Sequence, residues 1–267
     1  MGMNRNFIPA LAGAVLISVA SLPADAADIA DAQFDPVVYD PPAPLGGWYL
    51  RGFIGLTNQR FTGLDSNSLR DVINFPGSNF EWLDRGRFGS SGVIGGGVGY
   101  ELNYWLRGDV TVEYRHDSNF TALDRWNRGG PADPVSNHYT GRKTELLFLA
   151  NAYADLGTYY GVTPYIGAGI GTSRNTISGF RDYNPMDNVT NTAATHSEWQ
   201  LAYALHAGLG VALNDRATLD IGYSFTHLGN ARTGEVTTQN PAFPNDPFVF
   251  KNLHSHDIKV GLRYRFN

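Results

Sequence analysis

The side chains in this chain that could do chemistry are its charges, its histidines and the backbone of two glycine runs. Fourteen ionisable residues fall on one phase of a two-residue repeat. Arg51, Arg107, Arg115, Lys143, Lys259, Arg263 and Arg265 carry positive charge, and Asp109, Glu113, Glu145, Asp155, Glu198, Asp220 and Asp257 carry negative charge. Two such carboxylates could serve as general acid and base. Yet the seven charges of each sign are spread over many segments and no pair stands out. Enclosed together, they are expected to neutralise one another, because an unpaired buried charge is costly. His254-Ser255-His256 offers two metal ligands that bracket a serine and lack a third partner, short of the set that holds zinc. Gly95-Gly96-Gly97-Val98-Gly99, and Gly167, Gly169 and Gly171, have the texture of phosphate loops, but no helix signal follows them. They lie inside alternating segments, where glycine relieves crowding. No catalytic, cofactor-binding or metal residues are expected.

Composition removes further classes. With no cysteine in 267 residues, the chain has no disulfide scaffold, thiolate metal site or cysteine nucleophile. A net charge of -5 with 17% charged residues lacks the basic face that nucleic acid requires. The 31 glycines, 14 tyrosines and 15 phenylalanines lean towards β-structure. Residues 1–26 read as a signal peptide. Arg5 supplies the positive region, residues 7–20 are apolar apart from breaks at Pro9 and Ser18, and Ala24-Asp25-Ala26 provides small residues for cleavage. Residues 27–46 are acidic and then proline-rich and read as a periplasmic tail; residues 47–267 read as the folded domain. After Ala27 the sequence has no run of 18 apolar residues, which argues against a helical span.

The elements that must position the charges are strands. Residues 48–61, 88–102, 105–117, 139–155, 163–177, 196–213, 217–229 and 257–266 alternate with a period of two. In the last, Ile258, Val260, Leu262, Tyr264 and Phe266 form one face, while Asp257, Lys259, Gly261, Arg263 and Arg265 form the other. Connections alternate strictly between short (Asn103-Tyr104, 156–162, 214–216) and long, polar ones (62–87, 118–138, 178–195, 230–252). A membrane-spanning barrel has that rhythm, with tight periplasmic turns and four long external loops. The segments also exceed the roughly 5–6 residues of soluble strands. Aromatic residues gather at the predicted periplasmic ends, namely Trp48, Tyr49, Tyr100, Tyr104, Trp105, Tyr153, Tyr159, Tyr160, Tyr165, Tyr264 and Phe266, as an interfacial belt would. The fold class is therefore all-β, an antiparallel up-and-down transmembrane barrel of eight strands. Its apolar stripe faces lipid and its fourteen charges face a lumen barely wider than the side chains that fill it.

Several motifs carry a family resemblance. They are the leader and proline-rich tail, Gly46-Gly47-Trp48-Tyr49-Leu50-Arg51-Gly52 opening the first strand, the glycine run ending at Tyr100, and the closing Lys259-Val260-Gly261-Leu262-Arg263-Tyr264-Arg265-Phe266. Together they resemble small outer-membrane barrels of the opacity/OmpA-like superfamily, most of all the porin-family surface proteins of alpha-proteobacteria. The resemblance implies an outer-membrane location and contact with lipid and lipopolysaccharide. It also implies that the strand carrying Ile258, Val260, Leu262, Tyr264 and Phe266 is read by the barrel assembly machinery. Asn267 after the final aromatic departs from that pattern.

The expected function is non-enzymatic: envelope integrity, and surface or host interaction through external loops. A porin passing small solutes is the first alternative, although eight strands leave a filled lumen. A lipid A-modifying hydrolase is the second. Phe225-Thr226-His227-Leu228-Gly229-Asn230 loosely resembles the His-x-Ser-Asn stretch of lipid A deacylases, but Gly229 stands where the nucleophilic hydroxyl would be. No cofactor and no nucleic-acid partner are expected.

Overall fold

The protein is described by a computed structural model covering residues 46–127, 134–237 and 246–266. The expected signal peptide, nearly all of the expected tail and Asn267 lie outside these residues.

In chain order the elements are β1 (Gly47–Arg60), β2 (Gly63–Asp65), α1 (Asn67–Asn74), β3 (Glu81–Phe88), β4 (Ser90–Glu101), β5 (Leu106–Asn127), β6 (Pro134–Val135), β7 (His138–Asp155), β8 (Val162–Asn184), β9 (Val189–Ala193), β10 (His196–Ala212), β11 (Ala217–Arg232), β12 (Val236–Thr237) and β13 (Val249–Arg265). Eight of them form a closed antiparallel ring, in the order β1, β4, β5, β7, β8, β10, β11, β13 and back to β1. The short strands β2, β3, β6, β9 and β12 pair with the outer ends or with one another.

Register fixes the shape of the ring. Stepping across hydrogen-bonded partners from Arg60 leads through His254, His227, Tyr203, Ile170, Ala150, Val110 and Val98 and returns to β1 at Leu50, a stagger of ten residues. Ten residues at about 3.3 Å, across eight strands at about 4.8 Å, correspond to a strand tilt of roughly 40°. Such a barrel has an interior just wide enough for side chains to fill. Two of the three short turns share one device. Asn103 Oδ1 accepts the backbone N–H groups of Trp105 (2.9 Å) and Leu106 (2.8 Å), and Asn214 Oδ1 accepts those of Arg216 and Ala217 (both 2.9 Å).

The outward face carries an apolar band. Leu50, Ile54, Leu56, Val98, Val110, Ile166, Ile170, Leu201, Leu205, Ile221, Ile258, Val260 and Leu262 are all exposed, an extent of apolar surface typical of membrane contact. Trp48, Tyr100, Tyr104, Trp105, Tyr159, Tyr160, Tyr264 and Phe266 are exposed at its periplasmic edge. Tyr49, Tyr153 and Tyr165 are corrections to the expected belt. They are 0%, 4% and 5% exposed because their alternation places them on the inward face beside the charges. Glycines on adjacent strands make room for them. A Cβ at Gly99 would lie 2.2 Å from Tyr49 Cζ, and one at Gly167 would lie 2.4 Å from Tyr153 Cδ1.

The strands run further outward than their sequence pattern indicates. β5 continues ten residues past Asp117 and β8 seven past Ile177. A bulge explains the early end of each pattern. His116 and Asp117 are both exposed, so the register shifts between Arg115 and Ser118 before alternation resumes. Near the corresponding point of β8, Gly179 takes φ +59° and the register shifts opposite Thr140 and Arg142. The expected loop 62–87 likewise contains β2, α1 and most of β3. Ser66 caps α1 by accepting the Leu69 N–H (3.0 Å), and the Asp246 carboxylate accepts the N–H groups of Asn67 and Ser68 at the same end.

Candidate functional site: a layered lumen

The inward-facing side chains form two stacked tiers of charge beneath an apolar plug. In the upper tier Arg115, fully buried, donates to Asp257 Oδ2 (2.7 Å), Ser255 Oγ (2.6 Å) and Glu113 Oε2 (3.1 Å), with Glu145 Oε1 3.6 Å from its Nε. Lys259 Nζ donates to Glu113 Oε1 (2.6 Å). Lys143 pairs with Glu145 and donates to Gln59 Oε1 (2.8 Å). Three cations thus meet three carboxylates. The arrangement is balanced, and neutral hydroxyl and amide groups take some of the remaining hydrogen bonds.

The lower tier is wired through tyrosines. Arg51 Nη1 donates to Asp109 Oδ2 and to Tyr153 Oη, both at 2.9 Å. Tyr49 donates its hydroxyl to the same Asp109 oxygen (3.1 Å), and Asn151 Nδ2 donates to Asp109 Oδ1 (2.8 Å). Arg107 pairs with Asp155 (3.1 Å), and its guanidinium lies 4.2 Å and 4.8 Å from the ring centroids of Tyr153 and Tyr165. Arg263 is shared by Glu101 (3.5 Å) and Asp220 (3.6 Å), and Arg265 also pairs with Glu101 (3.2 Å). One cavity among the described residues, lined in part by Arg51, Asn151, Tyr153, His206 and Lys259, is about 20 Å³, room for about one water molecule.

Thirteen of the fourteen charges singled out in the sequence belong to these tiers. Glu198 does not. It lies near the external end of β10, partly exposed, paired with Arg232 at 3.3 Å. Glu101, Gln59, Asn151, His206 and Ser255 complete the tiers and were missed. Glu101 shares the inward phase of Gly97 and Gly99 on β4, a signal available in the alternation.

Above the charges the interior changes character. Phe61, Phe88, Phe120 and Phe250 meet with ring centroids 5.0–5.8 Å apart. Tyr139, Phe180 and Phe248 form a second group at 5.0–6.3 Å. Leu228, Ala231 and Leu253 are fully buried among them. Lys143 Nζ, 5.8 Å from the Phe88 ring, marks the junction between charge and plug.

The histidines face other partners. His227 stacks on Tyr203 (4.6 Å, 7° between planes), and His256 Nδ1 is 2.6 Å from Tyr223 Oη on the outward face. Gly229, with φ +73°, contributes no side chain at the position a nucleophile would need.

This chain is similar to several known proteins. An uncharacterized protein of Brucella abortus (strain 2308) is 30% identical over 279 residues, covering 95% of this chain and 97% of the relative. Outer membrane protein PagN of Salmonella typhimurium is 23% identical, covering 82% and 90%. Among solved structures, Neisserial surface protein A is 17% identical with a TM-score of 0.43, covering 82% of this chain and 97% of that one. OprG of Pseudomonas aeruginosa is 14% identical with a TM-score of 0.47, covering 84% and 97%. The family model for the outer membrane protein beta-barrel domain matches residues 12–266, and this chain is a member of that outer-membrane family.

Proposed function

We propose that this protein is a non-enzymatic surface barrel with a sealed lumen, which reinforces the outer membrane and presents a rigid external platform to surface or host ligands. One observation carries the reading. Two balanced tiers of ion pairs fill the membrane-level interior, and an aromatic plug lies above them. Conduction would require breaking several buried pairs and displacing the plug together. The expenditure of so much sequence on a plugged, extended outer end supports a role for the loops that end carries. The outward stripe Ile258, Val260, Leu262, Tyr264 and Phe266 on the closing strand supports recognition by the barrel assembly machinery. Lipid and lipopolysaccharide are the partners of the exposed apolar band.

Single-channel recording of the refolded protein in a planar bilayer tests the reading. Rare, small openings are expected, becoming more frequent in Arg107→Ser or Arg263→Ser. Steady, large steps from the wild-type protein would overturn it in favour of a porin.

A further inference from the structure

The apolar band on β8 runs outward through Ile166 and Ile170 and stops at Thr172 and Arg174, all exposed. Arg174 sits between outward-facing register partners, Leu146 on β7 and Trp199 on β10. Trp199 also meets the Phe148 ring at 6.0 Å. An arginine directly beyond a lipid-facing band carries its guanidinium to headgroup level. Some outward cations at the external end are taken by carboxylates, Lys251 by Asp65 (2.6 Å) and Arg232 by Glu198 (3.3 Å), whereas Arg60 on β1, like Arg174, is exposed with no ion pair among the described residues.

Four residues further out on β7 is Arg142, about 13 Å away along the strand at the usual rise. Its carboxylate neighbour Asp117 is 3.6 Å away, and both side chains are about half exposed, so water screens the pair. Between the two arginines lie Thr144 and Thr176, which are register partners, and Thr176 Oγ1 is 2.8 Å from Ser197 Oγ. Two long guanidinium side chains therefore flank a row of hydroxyls at the upper edge of the lipid-facing wall. A guanidinium fork matches the oxygens of a phosphate. The abutting Trp199 and apolar band favour a phosphate attached to acyl chains over one free in solution.

We propose that Arg174 and Arg142, with the hydroxyls of Thr144, Thr176 and Ser197, form a docking site on the β7–β8–β10 wall for the phosphate of an outer-leaflet glycolipid, lipopolysaccharide. This site is independent of whether the lumen conducts.

The test uses the full chain refolded into phosphatidylcholine vesicles that are plain, contain lipopolysaccharide or contain its dephosphorylated form, and into plain vesicles with added inorganic phosphate. The midpoint of heat-induced loss of the folded gel band is read in each. Lipopolysaccharide is expected to raise the midpoint, and neither the dephosphorylated form nor inorganic phosphate to do so. Arg174→Gln should lose at least half of that rise, and Arg142→Gln/Arg174→Gln nearly all of it. Arg60→Gln, on β1, should keep the rise. Arg174→Lys, which preserves the charge if the glutamine variant folds poorly, should keep part of it. A full rise in the double variant, an equal rise with dephosphorylated lipid or inorganic phosphate, or an equal loss in Arg60→Gln would overturn the proposal.

Discussion

One strand, β5, passes through both halves of this molecule and changes its logic midway. From Arg107 to Arg115 it turns Arg107, Asp109, Thr111, Glu113 and Arg115 inward and Val110, Val112 and Tyr114 outward. From Ser118 onward it turns Phe120, Ala122 and Trp126 inward and Asn119, Thr121 and Arg125 outward. The bulge at His116 and Asp117 separates the two regimes. What reverses is the medium outside. Next to lipid, burying an apolar side chain in the lumen gains nothing over leaving it against acyl chains, so the interior is organised by ion pairs and hydrogen bonds. Next to water, the usual gain for removing apolar surface returns, and the interior becomes a conventional aromatic core. The same backbone ladder thus carries two opposite patterns.

The largest expected effects come from breaking each half by its own rule. Arg115→Met removes the cation shared by Glu113, Glu145 and Asp257 and should cost about 3–5 kcal/mol, the range for breaking a buried pair. Phe250→Ala should cost a comparable 3–5 kcal/mol by opening a cavity, but among the external rings only. Denaturant unfolding from vesicles measures both totals, and hydrogen exchange separates them. Phe250→Ala should loosen β2 and the outer ends of β5 and β13, leaving the membrane-level ladder protected. Uniform loss of protection in both variants would show that the halves are one cooperative unit.

The same contrast explains what could be read from the sequence. Strands at membrane level were legible, because one face must be apolar along its whole length and the other is rich in charge, as residues 257–266 show. Their external extensions were not. The bulges at His116-Asp117 and near Gly179 interrupt the period, and beyond them the inward face becomes the apolar one, so the continuation of the strands looks like a new and irregular segment. Phase was reliable where composition misled. Tyr49, Tyr153 and Tyr165 have the composition of a belt, yet their positions in the alternation match those of the charges. Glu198 has the inward phase at its own position but lies beyond the charged tiers, and depth is not visible in a two-residue repeat. The pairing among the charges was not legible either, because it depends on which strands are neighbours across the lumen.

An outward-facing arginine should sharpen the boundary between the two media. Val260, exposed on β13 within the apolar band, is paired with Ile54 and Ile221 on its two neighbours. Val260→Arg should cost about 2–4 kcal/mol in folding into a bilayer, the range for a cation near the midplane. Thr121→Arg, outward on the external part of β5, should stay within about 0.5 kcal/mol of wild type. Equal folding free energies for the two variants would place the membrane boundary elsewhere.

The smallest effect should appear at the external end, as a response to pH. Asp182 lies near the outer end of β8, in register with Tyr139, and Asn191 Nδ2 on β9 donates to its Oδ2 at 3.3 Å. Its other oxygen is buried without a hydrogen-bond partner. Burial pushes its carboxyl up to about 6, with the Asp124 carboxylate acting in the same direction. A carboxyl raised in the folded state binds its proton more tightly there than in the unfolded chain. It therefore penalises the fold when ionised, and the penalty is relieved as pH falls through about 6. Between pH 7 and pH 5 the β8–β9 pairing should tighten by about 1 kcal/mol, at 1.36 kcal/mol for each tenfold change in proton affinity. Asp124, held by Tyr139 Oη (2.7 Å) and the Asn137 N–H (2.9 Å), has its carboxyl raised by burial as well, and its protonation adds in the same sense. The ion-paired Asp65 works in the opposite sense, held down to about 2 chiefly by the hydrogen bond from Arg70, which outweighs the opposing effect of burial, with Lys251 adding to the lowering. Its contribution is lost only below the range tested. Hydrogen exchange of the β9 amides at pH 7 and pH 5, corrected for intrinsic rates, reads the difference. Asp182→Asn should abolish most of it while leaving the membrane-level amides unchanged. A pH response of equal size in that variant would assign the effect to Asp124 or to another group.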